Sequence, residues 1–317
     1  MMTTTQTRTI MTVSAGIIEE IEPLEGPRRR RPRRIRSRGP LARVGATLKW
    51  VLLGSGALVM LVPLYIMIIS AFKPQEAIIR SPLAIDPSIF TLEYLAEAIT
   101  SEKFNVIGAY GITLLFVVLV NVFGIALAAP VAYVIARGRS RWHLGLLLVF
   151  VSGLFIPGQV TLIPVVFVLR LLGLINTIPG FLLFETAATL PVTIFLFAAY
   201  LRTVPRDIDE AASLDGAGRI RAFWSCIFPI MKPVVATVVV LNSISVWNDF
   251  ASPQIILGPS SGIYTVTTGV YAAVGEFSTS YTTVFPTLLL AVAPAVLFFI
   301  VMQRHIIGGL VAGATKG

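Results

Sequence analysis

Cysteine and histidine are close to missing from this sequence, which has one cysteine, Cys226, and two histidines, His143 and His305, in 317 residues. A lone cysteine excludes an intramolecular disulfide and any cysteine-based zinc or iron–sulfur centre within the chain. The histidines stand 162 positions apart and outside any HExxH-like spacing, so no metal site is expected. Neither residue type can supply the clustered nucleophile, base or ligand set that an intramembrane enzyme needs, and no cofactor is expected. A phosphate loop is also lacking: no lysine follows a glycine, which removes the GxxxxGK(S/T) pattern. Charge is scarce, with 13% Asp, Glu, Lys and Arg against 56% hydrophobic residues and a mean hydropathy of +0.84. That balance excludes a soluble globular enzyme and describes a chain whose solvent is largely lipid.

Long uncharged runs take the place of what is missing. They extend over Trp50–Phe72, Phe104–Ala136, Trp142–Leu169, Leu171–Leu201 with Glu185 as the one break, Pro233–Asn248 and Phe277–Gln303. At about 20 residues per span these are six transmembrane helices, with little length left for a separate soluble domain. The first run is too long and too internal for the core of a cleaved signal peptide. The expected fold is all-α and polytopic, with residues 45–317 as the six-span domain. Residues 1–44 are expected to be a disordered tail, because eight arginines fall within Arg28–Arg38 beside Pro27, Pro32 and Pro40.

The net charge of +9 is a topology signal. With the tail taken as cytoplasmic, the inner segments hold 21 Lys and Arg, whereas the outer ones hold Lys73, Arg80, Lys103 and Arg170. Without residues 1–49 the inner side still leads, 10 against 4. Both termini are therefore expected on the cytoplasmic side, and no nucleic acid is expected as a partner. On the outer side Leu92, Leu95, Ala96 and Ile99 have helical spacing, which predicts a short amphipathic helix packed across the span ends.

One hydrophilic insert, about 202–232, carries specific information. Pro205 suits a first helical position, Asp207, Asp209 and Glu210 complement the positive end of a helix, and Gly216 and Gly218 supply a stop. A second helix follows, with Ile220, Phe223, Trp224, Ile227 and Phe228 on one stripe that needs burial, until Pro229 and Pro233 redirect the chain. A helix–turn–helix DNA reader is a poor fit, since the insert is tethered to the bilayer at both ends and has no third helix. Small residues at Ala211, Ala212, Gly216 and Ala217 instead permit close approach by another protein.

Glu210-Ala-Ala-Ser-Leu-Asp215-Gly216-Ala217, with the aromatic helix and prolines after it, resembles the EAA loop of membrane subunits of binding-protein-dependent ABC importers. The resemblance continues through Gly173–Gly180, Trp247-Asn248-Asp249-Phe250 and Gly309–Gly317, and is to the shorter, six-span partner of the maltose-transporter-type sugar permeases. It implies a sugar-translocating permease subunit, not itself an enzyme. A second permease would form a heterodimer with it, two ATPase subunits would hydrolyse ATP, and an external solute-binding protein would deliver the sugar. Carried over by position, Glu210, Ala211, Ala212, Asp215, Gly216 and Ala217 become ATPase-docking residues, and Gly313–Gly317 resembles a tail that reaches the ATPases. In such systems substrate contacts lie chiefly in the partner permease.

Asn242, Trp247, Asn248 and Asp249 are the pathway candidates here, because sugars are held by aromatic stacking with amide and carboxylate hydrogen bonds. Asn121 and Gln159 offer the same chemistry but read as inter-helix packing. The competing reading is an ion-coupled secondary transporter, which needs ionisable groups at mid-membrane; Glu185 and Asp249 are the candidates, against a paired carboxylate and a polar lining respectively.

Deleting residues 1–40 is expected to leave a C-terminal reporter on the cytoplasmic side. A reporter that appears outside refutes the charge argument.

Overall fold

The computed structural model describes the backbone of residues 40–100, 105–276 and 280–314, and side chains over 47–100, 105–273 and 280–301. Of the tail expected to be disordered over residues 1–44, residues 1–39 lie outside the described residues, and residues 40–44 are helical, because the apolar helix that follows extends one turn further towards the N-terminus. The expected contact of Gly313–Gly317 also lies outside the described residues, which end at Ala314. The chain divides into two units, Met1–Leu58 and Val59–Gly317. The first contributes the opening part of α1 (Pro40–Ser70), an apolar helix. The second holds the rest.

All regular structure among the described residues is helical: α2 (Gln75–Arg80), α3 (Glu93–Thr100), α4 (Val106–Arg137), α5 (Arg141–Ser152), α6 (Gly158–Leu171), α7 (Ile178–Leu201), α8 (Asp207–Leu214), α9 (Arg219–Ile230), α10 (Lys232–Asn248), α11 (Ala251–Ile256), α12 (Val266–Glu276) and α13 (Tyr281–Ala314). Four of these are single helices long and apolar enough to cross a bilayer, and two bent pairs bring the number to six. The run Trp142–Leu169, expected as one span, is bent by 103° between α5 and α6. Pro157 causes the break: the residue before a proline avoids the helical region, and Ile156 is extended at φ −90° and ψ 117°. The second bent pair is α9 and α10, at 75°. With 17 residues α10 spans only about 25 Å, short of the hydrocarbon core of about 30 Å.

Packing centres on α4 and α7. Gly124, Ala128, Ala132 and Ala136 recur every four residues along α4, which places them on one ridge. Ala128, Ala129 and Ala132 are wholly buried against Ile194, Phe197, Ala198 and Leu201 of α7. A Cβ on Gly124 would already touch Thr189 Oγ1 at 3.4 Å. Lipid supplies no hydrophobic force between helices, so this small-residue ridge brings the backbones close enough for dispersion contacts. Phe223, Ile227 and Met231 of the α9 region and Val234 and Val238 of α10 complete this cluster. A second cluster, towards the opposite end, joins Phe116 and Val120 of α4 to Phe181, Leu162 and Val246, with Phe116 and Phe181 rings 4.5 Å apart. Exposed Phe123 and Leu127 of α4 and Ile163 and Phe167 of α6 are what a lipid-facing surface requires.

The segment after α1 is tied down by polar contacts. Lys73, 1% exposed, donates from Nζ to the carbonyls of Ser81 and Pro82 at 3.1 and 3.4 Å, and Tyr65 donates to Leu83 at 2.8 Å. The short helix expected near Thr91–Thr100 is α3, packed on α13. Its buried face differs from the expected stripe: Ala98 is buried, while Leu92 and Ile99 are exposed.

Ala128→Leu is expected to lower stability by about 1–3 kcal/mol, because a large side chain has no room on the α4–α7 ridge. Thermal melts in detergent check this against Leu127→Met on the exposed face, where the change should stay within about 0.5 kcal/mol.

Candidate functional site

The hydrophilic insert folds as two helices around a tight turn. α8 starts with Asp207, Asp209 and Glu210 in its first turn, which complements the positive end of the helix. It ends in a Schellman arrangement: Gly216 N–H donates to the Ser213 carbonyl at 3.1 Å and Ala217 N–H to that of Ala212 at 3.0 Å. Gly216 has φ +77°, a conformation a Cβ disfavours, and a Cβ built there would meet nothing within 4 Å. Backbone conformation, not crowding by this chain, therefore demands glycine. Glu210, Ala211, Asp215 and Gly216 are exposed, and Ala217 is half-buried. Ala212 turns inward, 6% exposed, in a helix packed on the Phe223–Ile227 segment. Two apolar side chains flank the turn with almost no cover, Leu214 at 90% exposure and Ile220 at 79%.

The second helix is not a plain α-helix. Phe223–Ile227 is a π-turn, with Phe228 N–H donating to the Phe223 carbonyl. Pro229 accounts for it: in α geometry its ring would collide with the Ser225 carbonyl and its missing N–H would leave that carbonyl unpaired. The wider turn splits the expected stripe. Phe223 and Ile227 are buried, Phe228 is half-buried, Trp224 is 43% exposed, and Ile220 leaves the stripe entirely.

A groove runs along α10, made of three cavities that share their walls. The first, about 430 Å³, lies between Asn121 and Ile125 of α4, Ser243 and Val239 of α10, and Trp224 and Phe228. The second, about 560 Å³, shares Val117 and Ser243 with it and adds Tyr110, Trp247, Asn248 and Phe299. The third, about 460 Å³, shares Trp247 and Asn248 and ends at Phe250, Thr267 and Tyr271. Val235, Val239, Ser243 and Trp247 project into this groove at intervals of four, one face of α10. The Trp247 ring stacks on Tyr110 at 6.3 Å and 24°, and the Tyr110 hydroxyl donates to the Leu290 carbonyl. The lining is chiefly apolar with a few polar groups, the usual make-up of a small-molecule site.

Trp247 and Asn248 thus sit in the groove, and the Asn248 amide donates to the Ile244 carbonyl at 2.8 Å. Asn242 does not line these cavities: it is 4% exposed and donates to Thr193 Oγ1 at 3.4 Å across the α10–α7 contact. Asp249 caps the chain break, its carboxylate accepting from Ser252 N–H at 3.3 Å and its carbonyl from the Thr267 hydroxyl at 2.6 Å. Asn121, read as packing, donates to Val117 and to Ser243 but leaves Oδ1 unpaired. Gln159 is exposed in the first turn of α6. Glu185 is 4% exposed on α7, lines none of the three cavities, and faces another carboxylate, Asp249. Tyr110 and Tyr271 were not legible as groove residues, since nothing in a uniformly apolar helix marks which face meets a cavity.

Comparisons with known proteins agree with this geometry. Residues 121–309 match the family described as binding-protein-dependent transport system inner membrane component. The multiple sugar-binding transport system permease protein MsmG of Streptococcus mutans is 32% identical over 275 residues, 84% of this chain and 96% of that protein. The diacetylchitobiose uptake system permease protein NgcG of Streptomyces coelicolor is 31% identical over 86% of this chain and 89% of its own. Among solved structures, a bacterial ABC transporter involved in the import of the acidic polysaccharide alginate has a similar fold. Its TM-score is 0.72 at 21% identity, covering 84% of this chain and 97% of that one. The chain therefore belongs to the family of inner membrane components of binding-protein-dependent transport systems, as a multi-pass ABC importer permease.

Proposed function

We propose that this permease imports a sugar and that α8 with the Gly216 turn is its docking point on a cytoplasmic ATPase. The observation that carries the docking is the uncovered tip: Leu214 and Ile220 stand 90% and 79% exposed on either side of a left-handed glycine, at the end of a helix outside the spans. Two bare apolar side chains on a water-facing loop cost free energy unless another surface covers them. Glu210, Ala211, Asp215 and Gly216 share that exposed surface; Ala212 supports it from within.

The groove along α10 is this chain's half of the pathway, to be closed by a second permease. A stacked Tyr110–Trp247 pair and the Asn248 amide offer a sugar an apolar ring face and a polar edge. The names of the relatives, which include multiple sugars and diacetylchitobiose, support sugar as the cargo. A solute-binding protein on the outer side and two ATPase subunits within complete the assembly, with both termini cytoplasmic as the charge bias requires. Ion coupling draws no support, because Glu185 opens onto none of the groove cavities.

Leu214→Glu and Gly216→Trp are expected to leave the protein in the membrane while the ATPase that co-purifies with the wild type falls about tenfold or more, the loss of at least 1.4 kcal/mol of association. Wild-type ATPase recovery and uptake in both variants refutes the docking face. Trp247→Ala is expected to cut sugar uptake about tenfold with the ATPase still bound, since a stacked aromatic contributes of order 1 kcal/mol beyond its area. Unchanged uptake removes Trp247 from the pathway.

A further inference from the structure

Arg137, the last residue of α4, sits where three elements meet. Its Nη1 donates to the Leu201 carbonyl at 3.2 Å and the Val204 carbonyl at 2.9 Å, and its Nη2 to the Pro205 carbonyl at 3.4 Å. The same Nη2 lies 2.8 Å from Asp209 Oδ2 in the first turn of α8. One turn back along α4, the Tyr133 hydroxyl donates to Asp209 Oδ1 at 2.5 Å, and the Tyr133 ring packs on Phe223 of α9 with centroids 5.1 Å apart. Two side chains of one long helix therefore hold the end of α7 and both helices of the coupling loop.

The arrangement is poorly suited to strength and well suited to position. Leu201 O lies at the open end of α7, where carbonyls lack helical donors, and Val204 O in the linker beyond it, so a guanidinium is a natural partner for both. The ion pair itself is largely buried, with Arg137 and Asp209 side chains 14% and 20% exposed. Desolvation offsets most of the attraction in such a pair, and the best-attested use of buried pairs is to hold a register. The fork is also incomplete: Arg137 Nε and Asp209 Oδ2 are buried without a hydrogen bond among the described residues, so the 2.8 Å approach is a charge contact poorly aligned for donation. The direct route from α7 to α8 is the linker at residues 203–206, and Arg137 grips that too, at the carbonyls of Val204 and Pro205. A displacement of α8 therefore meets Arg137 both through the linker and through Asp209. Either way it reaches α4, a helix of 32 residues that packs on α7 along its alanine ridge and lines the groove at Val117 and Asn121.

We propose that Arg137, Tyr133 and Asp209 are positioning residues that clamp the coupling loop to α4, so that movement imposed on the loop by the ATPase reaches the helix lining the transport groove. The clamp rests on the docking reading above, and its test separates the two. The whole complex is reconstituted in vesicles with its second permease, ATPase and binding protein, and three quantities are read: ATPase retained, ATP hydrolysed, and sugar taken up per ATP. Asp209→Asn is expected to keep the ATPase and continue hydrolysis while uptake per ATP falls about tenfold, the scale of one charge-assisted contact. Asp209→Glu, which keeps the charge, restores most of that ratio. Tyr133→Phe, which removes a hydrogen bond to the carboxylate but no charge, lowers it about tenfold as well, the scale of a hydrogen bond to a charged group, and decides the matter if Asp209→Asn fails to assemble. An unchanged ratio in assembled Asp209→Asn or Tyr133→Phe overturns the clamp, as does a loss of uptake and hydrolysis in equal proportion. If Leu214→Glu retains the ATPase, the docking reading fails; if Leu214→Glu loses it while Asp209→Asn keeps both ATPase and ratio, the clamp alone fails.

Discussion

Close approach of α4 to α7 is the constraint on which the rest of this permease depends. In lipid the two helices gain nothing by hiding apolar surface from water, and they hold together only as far as their backbones can touch. Gly124, Ala128 and Ala132 make that contact possible, and Phe197, Ile194 and Leu201 fill the space beside it. Because α4 is fixed there, its far end at Arg137 can organise the coupling loop while its middle, at Val117 and Asn121, forms a wall of the groove. One helix thus contacts the two-helix loop at one end and lines the groove along its middle.

The other wall, α10, is built on different terms. It follows the π-turn that Pro229 imposes, is bent by 75° from α9, and is short for a bilayer. Its side chains alternate in role: Val234, Val238 and Asn242 face the α4–α7 core, and Val235, Val239, Ser243 and Trp247 face the groove. The groove thus pairs a wall that is one continuous helix from Val106 to Arg137 with a wall interrupted at both ends, where missing helical hydrogen bonds concentrate bending.

Much of this was legible before any coordinates, and the pattern of success is physical. Apolar runs are legible because the bilayer enforces them residue by residue, and the Glu210–Ala217 segment is specific because few residue types tolerate a left-handed turn. Illegible features depended on partners in space. Pro157 was one of several span prolines, and only its neighbour Ile156 in extended conformation distinguishes a 103° break from a mild kink such as Pro63 or Pro191 leaves inside a continuous helix. Ile220 was assigned to the buried stripe by counting at 3.6 residues per turn, which the π-turn that begins three residues later, at Phe223, invalidates. Asn242 and Trp247 carry the same kind of polar or aromatic signal, yet five positions on a helix is more than one turn, so one faces α7 and the other the groove. Arg137 was counted for its charge alone, since the partners that give it meaning are 64 to 72 residues away in sequence.

The left-handed conformation of Gly216 also bears on how this protein can change over generations. Asparagine is the side-chain-bearing residue that best tolerates that conformation, but no glycine codon becomes an asparagine codon by a single base change. Of the replacements that are one base away, alanine, valine, arginine and serine impose a strained backbone at the tip of the loop, and aspartate, which tolerates the conformation better, adds a negative charge beside Asp215. Drift at this position therefore runs through a change in backbone strain or a change in the charge of the tip.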